Sequence, residues 1–592
     1  MADVGIRLSE AQQAIVDSPE KAIVVSAGAG SGKTEVVSHR IERILRDSSE
    51  EDFRILAVSY TVRAADALRS RLEKRLGGLH RRVDAETIHS FCLNLLRQFG
   101  TRIGLPADPE ILTRDEDRIE LLQYWLAERG QSYAGDLSSV LIELDSARAA
   151  RRSTEYLDLW RDALESRGAV DYPAILDKAL ELLDSSWMRR HMRRTYGQVV
   201  VDEAQNLTPA QYAVLCSLIG VPDSNYIDAM LVGDERQSIV GFAGADPELM
   251  NRFEREYHAR RFSLNENYRS ARKIVEVAAR VADRLAIKPS VDDTVEFAAS
   301  GSVNFFEAED EVKEGSFVAD WVKRLIEQGI DEGAAAPGES RGVHPEEIAV
   351  MGRTAASLRF VKSALSERGI EWVEGSAEDD WLESQPARVV VALINFLSSP
   401  SHRSARRQLA DAVDVTSESS DGPGDLLAKS ASPEMQALLP LVDSHNVDEF
   451  FVRLRALDIK NIAWRSDLAQ LEEAWSRFSD STDEAGRTYS NFRAHITRHQ
   501  RGDIQKPGVR VITIHKAQGR EFKAVALVAC NEGQIPDFRA REVEAVKAEM
   551  RAFYVALSRA TRQILLTRAK TRMTNYGSRR TQPSQFLAIV RI

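Results

Sequence analysis

Eight consecutive residues, Ala27 to Thr34 (Ala-Gly-Ala-Gly-Ser-Gly-Lys-Thr), have the make-up of a phosphate cradle, with Ala27 where the first glycine usually stands. Gly28, Gly30 and Gly32, spaced by the small Ala29 and Ser31, let backbone N–H groups turn inward around phosphates at a helix N-terminus. Lys33 offsets the charge of the outer phosphates, and the Thr34 hydroxyl is a magnesium ligand. Far along the chain, Gln198-Val-Val-Val-Asp-Glu-Ala-Gln205 delivers two adjacent carboxylates at the end of an apolar run. Asp202 is placed to hold the magnesium shell and Glu203 to polarise an attacking water. Together the two stretches imply ATP hydrolysis with Mg2+ as the cofactor.

Such residues need a sheet to aim them. Ala22 to Ser26, Ile55 to Ser59 and Val199 to Val201 read as buried parallel strands, and the first two lead directly into helical patterns. After the first, Val37, Ile41, Ile44 and Leu45 recur at helical spacing. The stretch from Phe91 to Arg194 reads as helical without a convincing strand, with Ile119, Leu121, Leu122, Trp125 and Leu126 in register. A second α/β half begins after Ser270, with strands expected at Val303 to Phe306, Ile348 to Met351, Val509 to Ile514, Val525 to Ala529 and Ile564 to Thr567. Another mostly helical stretch, Ala377 to Pro507, interrupts it. The 592 residues allow several domains. A net charge of −11 advertises no overall basic character, although positive charge can be confined to one groove. Cys92, Cys216 and Cys530 form no CxxC pair, which argues against a zinc site, an iron–sulfur cluster or a disulfide framework and points to a reducing cytoplasm. The longest apolar run, Val389 to Leu397, is too short to span a bilayer.

Several further motifs occur in a fixed order. Asp-Glu-Ala-Gln (202–205) resembles motif II of superfamily 1 helicases, and Val232 to Ala245 resembles the next motif of the UvrD/Rep/PcrA family. Leu8 to Val16 resembles the Q motif, Ala57 to Ala65 and Thr87 to Phe91 two DNA-contacting motifs, and Leu264 to Ser270 motif IV. Val511 to Phe522 and Glu549 to Ala560 are similar to motifs V and VI. The resemblance implies an α/β fold of two RecA-like P-loop domains with parallel sheets, each carrying a mostly α-helical insertion. The expected boundaries are 1–90 and 196–268 for the first domain around an insertion at 91–195, and 269–376 and 508–592 for the second around a short insertion at 377–507.

The resemblance also implies residue roles. Gln12 reads adenine, Tyr268 stacks on it, Arg40 lies on the base side and Glu521 binds the ribose. Gln237 senses the γ-phosphate from the first half, and Arg269 and Arg559 contact it from the second. Tyr60, Thr61, His89, Phe91, Phe242, His515 and Tyr576 fall at DNA-contacting or track-lining positions, with Lys570, Arg572, Arg579 and Arg580 as a basic patch beside Tyr576. Some family contacts are missing: Val240 stands for the usual Tyr, Ala243 for Arg, Asn206 for Asp, Gln518 for Lys and Arg520 for Leu. The expected activity is ATP-driven 3′-to-5′ movement on single-stranded DNA and separation of tailed duplexes, without a membrane. The altered third motif and compact second insertion support an alternative, an ATP-gated DNA sensor or the motor subunit of a complex with a protein partner such as a nuclease.

Overall fold

The computed structural model describes residues 8–48, 53–130, 136–154, 156–222, 226–241, 244–285, 294–295, 300–330, 343–374, 384–459, 461–499, 507–574 and 577–590. Its first half is built from β1 (Ala22–Ala27), β2 (Arg54–Ser59) and β3 (Val83–Thr87), then, after β4 (Glu110–Leu112) and β5 (Ala169–Asp171), from β6 (Tyr196–Val201), β7 (Asp228–Gly233) and β8 (Arg260–Leu264). The sheet order is β3-β2-β6-β7-β1-β8, every pairing parallel. Ala22 to Ala27 are all buried, as expected of a strand covered by helices on both faces. The carboxyl ends of β1, β2, β6 and β7 therefore face one way, where ligands of such sheets bind.

β9 (Glu266–Asn267) and β10 (Thr294–Val295) form a short parallel pair. The second half holds β11 (Ser302–Asp310), β12 (Ile348–Gly352), β13 (Trp372–Val373), β14 (Val509–Thr513), β15 (Phe522–Leu527) and β16 (Ala560–Thr574) in the order β11-β16-β15-β12-β14-β13, with β17 (Gly577–Arg580) antiparallel on β16. The expected α/β class with two parallel sheets is what the structure has. All eight strands expected from the sequence are present, and β3, β4, β5, β7, β8, β9, β10, β13 and β17 are additional.

The first insertion departs from its strand-free expectation. β4 and β5 pair in parallel and fasten its helices around Asp171. That carboxylate is fully buried but saturated, accepting from Arg148, Arg118, the Trp160 indole and the Ala174 amide. A buried anion is tolerated only with such complete pairing. The second insertion runs helically from Gln385 to His499, and the apolar run Val389 to Leu397 lies in its first helix (Gln385–Ser398). It has its own core, in which Phe451 stacks on Trp475 at 4.7 Å and Phe492 is fully buried.

The two insertions meet along a polar seam. Ser399 Oγ donates to Asp108 at 2.7 Å, the Ser404 amide to Glu110 at 2.7 Å, Arg407 to Asp117 at 3.1 Å and Arg114 to Asp411 at 2.7 Å. Between this seam and the first sheet lies a cavity of about 610 Å3, lined by Tyr60, Thr61, His89 and Glu203 below and by Ile394 and His402 above. Among the described residues no helix is long and apolar enough to cross a membrane.

Candidate functional site

The phosphate cradle connects β1 to the helix Lys33–Asp47, with Gly32 in the left-handed region at the helix N-cap. The segment after β8 lies on the loop. Asn267 Nδ2 donates to Ala29 O at 2.7 Å, and the Tyr268 amide donates to Gly30 O at 2.9 Å. A Cβ on Gly30, whose φ is +74°, would come within 2.8 Å of Asn267 Oδ1, so only glycine admits this approach. Lys33 Nζ donates to the carbonyls of Ala27 and Gly28 at 3.3 and 3.5 Å. Gln12 is buried and donates to Ser31 O at 3.0 Å, fixing the adenine-reading candidate beside the loop.

Asp202 and Glu203 follow β6 directly. Asp202 is buried and accepts from the Glu203 amide at 2.9 Å. Burial first, and then the neighbouring Glu203 carboxylate, raise its pKa, while Lys33 pulls the other way. Glu203 is a non-glycine residue with φ +56°, a posture that costs on the order of 1–3 kcal/mol and is held only where the surroundings enforce it.

After β7, Asp234 is 1% exposed and holds two neighbours: Oδ1 accepts from Arg236 Nε and Oδ2 from Gln237 Nε2, both at 2.8 Å. Burial alone would raise the Asp234 pKa, but Arg236, Lys33 and these hydrogen bonds outweigh it and hold the group below its usual range. Gln237 Oε1 then accepts from Arg559 Nη2 at 2.6 Å, a contact between residues 322 positions apart that joins the two halves. Arg559 is 3% exposed and also donates to Val555 O, Arg520 O and Ser558 Oγ. Burial, and then the nearby Arg269, lower its pKa to about 10, so it remains a cation at neutral pH.

Arg269 donates to Glu521 and, at 3.1 Å, to Ser558 O, while its buried Nε has no hydrogen-bond partner. The two residues expected at the γ-phosphate and the ribose thus pair with each other here. Tyr268 is half-buried, its hydroxyl donating to Glu266. Arg40 is placed differently from its expected role on the base side. It is buried, and its guanidinium donates to the carbonyls of Ile15, Val16, Ser18 and Glu20. It closes the C-terminal end of the helix Glu10–Asp17 that carries Gln12, and so acts on the candidate base site through that helix.

The candidate nucleic-acid residues divide. Tyr60, Thr61 and His89 line the cavity beneath the insertions. Thr61 caps the helix Val62–Leu76 by accepting from the Ala64 amide. His89 packs against Tyr172 at 5.3 Å, and burial lowers its pKa to about 4. Phe91 contradicts the expectation of a base platform: it is 5% exposed, in the first core, edge-on to Tyr196 at 6.2 Å. A ring with no free face cannot stack on a base. His515 follows β14 and is half-buried, its pKa lowered by burial and then by Arg353. Phe242 and Tyr576 lie outside the described residues, as does Ala243. The basic patch is smaller than expected, because Lys570 pairs with Glu309 and Arg572 with the buried Glu314.

Val240, which stands where the family usually has Tyr, is buried with Ile239 in the core of the second half, so the third motif serves as an apolar joint between halves. Asn206 is likewise buried, 1% exposed. Two residues given no role from sequence now have one: Gln205, which is fully buried between Glu203 and Asp234, and Asp234 itself. Both lie beyond apolar strands, Gln205 in the turn Ala204–Asn206 after β6 and Asp234 directly after β7.

The donor set fits ATP with magnesium. Thr34 and Asp202 would offer hard oxygen ligands of the type Mg2+ takes together with phosphates, and the unpartnered Arg269 Nε is a donor in want of an acceptor. Among the described residues no cluster of three or more His, Cys, Asp or Glu could hold a metal alone.

Comparison with known proteins agrees with this geometry. Residues 8–258 match the UvrD/REP helicase N-terminal domain, and residues 399–571 match the UvrD-like helicase C-terminal domain. The chain is similar to the ATP-dependent DNA helicase PcrA of Bacillus subtilis, 24% identical over 98% of this chain and 85% of that protein. It is similar to DNA helicase II of Haemophilus influenzae, at 26% identity over 98% and 86% of the two chains, and to DNA helicase II of Escherichia coli, at 25% over 98% and 87%. With both characteristic domains matched in order, and relatives aligned along nearly its whole length, the chain belongs to the UvrD-like helicase family.

Proposed function

We propose that the chain is an ATP-dependent DNA helicase that moves 3′ to 5′ along single-stranded DNA and separates tailed duplexes. The observation that carries this reading is the 2.6 Å contact of Arg559 with Gln237, beside the acidic pair and the phosphate loop. A cation from one sheet reaches the site built on the other only when the halves are closed, which ties nucleotide state to their separation. The names of the aligned relatives and the order of motifs support the choice of DNA and of helicase activity, and the family likeness supports the polarity.

In this reading residues 1–90 and 196–268 form the first motor domain and 269–376 and 508–592 the second, with insertions at 91–195 and 377–507. Thr34 and Asp202 would hold a magnesium ion, which would supply Lewis-acid polarisation of the phosphoryl oxygens. Lys33 offsets phosphate charge, and Glu203 orients the attacking water and accepts its proton. Arg559 and Arg269 stabilise charge developing on the γ-phosphoryl group, which requires Arg269 to leave Glu521. Gln12 and Tyr268 hold the base and Glu521 the ribose. Tyr60, Thr61, His89 and His515 line the strand's path, and a cytoplasmic setting accords with three cysteines in no disulfide.

The test is ATPase activity with and without single-stranded DNA, followed by strand displacement on 3′-tailed and 5′-tailed duplexes, with the hydrolysis-impaired Glu203→Gln as the control. Stimulation by DNA and displacement from the 3′ tail by the chain alone are expected. Hydrolysis indifferent to DNA refutes the motor, and preference for the 5′ tail refutes the polarity. Stimulation without displacement turns the reading to the sensor or motor subunit of a larger complex.

A further inference from the structure

Gln205 is a fully buried amide at the centre of the site with both ends engaged. Its Nε2 donates to Glu203 Oε2, and its Oε1 accepts from the Asp234 amide at 3.0 Å. Its own carbonyl accepts from Ser238 Oγ at 3.0 Å. From Asp234 the bonding continues to Gln237 and thence to Arg559. An unbroken path of side-chain bonds and one backbone step thus joins the water-polarising candidate in the first half to the arginine of the second. A carboxamide carries an N–H donor and a C=O acceptor on one planar group, so a single neutral side chain serves the Glu203 carboxylate and the Asp234 amide at once. The surroundings are shaped to it: a Cβ on Gly233 would lie 2.4 Å from Gln205 Oε1 and 3.1 Å from its backbone nitrogen. Glu203, held at φ +56°, has no comparable anchor for its carboxylate in the bonds described.

We propose that Gln205 is a positioning residue for hydrolysis. Its amide fixes the Glu203 carboxylate on one side and the segment carrying Gln237 on the other, so Glu203 takes its working posture only when Arg559 is seated. The proposal rests on the hydrolytic reading of the site given above. It makes Gln205 the coupling between water activation and closure of the halves, without contact to the nucleotide.

Two substitutions separate this from simple bracing. Gln205→Glu keeps an acceptor for the Asp234 amide but replaces the donor facing Glu203 with a carboxylate. Gln205→Met keeps the shape and removes both bonds. Positioning predicts that Gln205→Glu lowers kcat for ATP by tenfold or more, with KM for ATP and affinity for single-stranded DNA within twofold of wild type. In nucleotide-free protein, hydrogen exchange at the Asp234 amide accelerates in Gln205→Met but not in Gln205→Glu. In a Glu203→Gln background, Gln205→Met lowers the residual turnover by less than a further twofold, because its effect passes through Glu203. Wild-type kcat in a folded Gln205→Glu protein overturns the proposal, as does a fully additive loss in the Glu203→Gln background. If Gln205→Glu does not fold, Gln205→Met and the paired background decide. Absence of Mg-ATP hydrolysis in the wild type would instead refute the hydrolytic reading, and the exchange measurement would still report on the brace.

Discussion

Replacing Arg559 with alanine tests the shared site most directly. The guanidinium is 3% exposed and donates to Gln237 Oε1, Val555 O, Arg520 O and Ser558 Oγ, so truncation strands several buried acceptors. Each acceptor left unsatisfied costs about 1–3 kcal/mol, while removal of a buried cation, whose desolvation costs several kcal/mol, offsets much of that sum. The net loss of stability is therefore expected to be modest, about 1–3 kcal/mol. The effect on turnover is of another size. One preorganised donor removed from a developing oxyanion lowers kcat by about 10²–10³, and arginines that complete phosphoryl-transfer sites contribute about 10³–10⁵. We expect Arg559→Ala to melt within a few degrees of wild type, to bind ATP within about fivefold, and to lose at least about a thousandfold in DNA-stimulated kcat. Arg559→Lys, which keeps the charge but not the planar fork, should recover no more than about a tenth of wild-type turnover. The assay is steady-state phosphate release at saturating single-stranded DNA, alongside thermal unfolding and nucleotide binding. Turnover in Arg559→Ala within threefold of wild type would refute the claim that both halves complete one site.

Arg40→Met leaves the carbonyls of Ile15, Val16 and Ser18 without their buried donor, and should cost about 2–4 kcal/mol in thermal or denaturant unfolding and raise KM for ATP more than it lowers kcat. His89, with its folded pKa depressed to about 4 against an ordinary 6.5, binds fewer protons when folded. Its stabilising contribution, present above pH 6.5, is lost as pH falls towards 4, on the order of 2–3 kcal/mol, and His89→Gln should flatten the unfolding free energy over that window. Arg407→Glu reverses the charge facing Asp117 and Glu120 across the seam and should part the two insertions, read as a change in distance between fluorophores on each. Because the partly exposed pairs of the seam, Arg407 with Glu120 and Arg114 with Asp411, contribute about 0.2–1 kcal/mol each and are screened by salt, wild type should shift the same way at high ionic strength, and an unchanged distance in both experiments would sink the seam.

Residues whose chemistry is set by local spacing were readable from the chain alone, and those set by packing were not. The glycine-rich loop, the paired acids after β6 and the strands with continuous apolar runs announce themselves, because a phosphate cradle and a doubly covered strand each constrain neighbouring residues. β3 reads Val-Asp-Ala-Glu-Thr and so lacks the apolar run of its partners, yet it completes the sheet beside β2. Phe91 and Arg40 show the limit more sharply. Each sits in or beside a recognisable motif, and only burial reveals that one faces the core and the other the end of a helix. Gln205 and Asp234 were overlooked for the converse reason. Gln205 meets the Asp234 amide across 29 positions and Gln237 meets Arg559 across 322, links that no periodicity records. The departures in the third motif take on a different meaning for the same cause. Val240 deprives the track of a ring but gives the joint between halves an apolar contact beside Gln237 and Arg559. What is lost in grip on a base is gained in the fit that brings the arginine to the site, so strand separation should suffer before hydrolysis does.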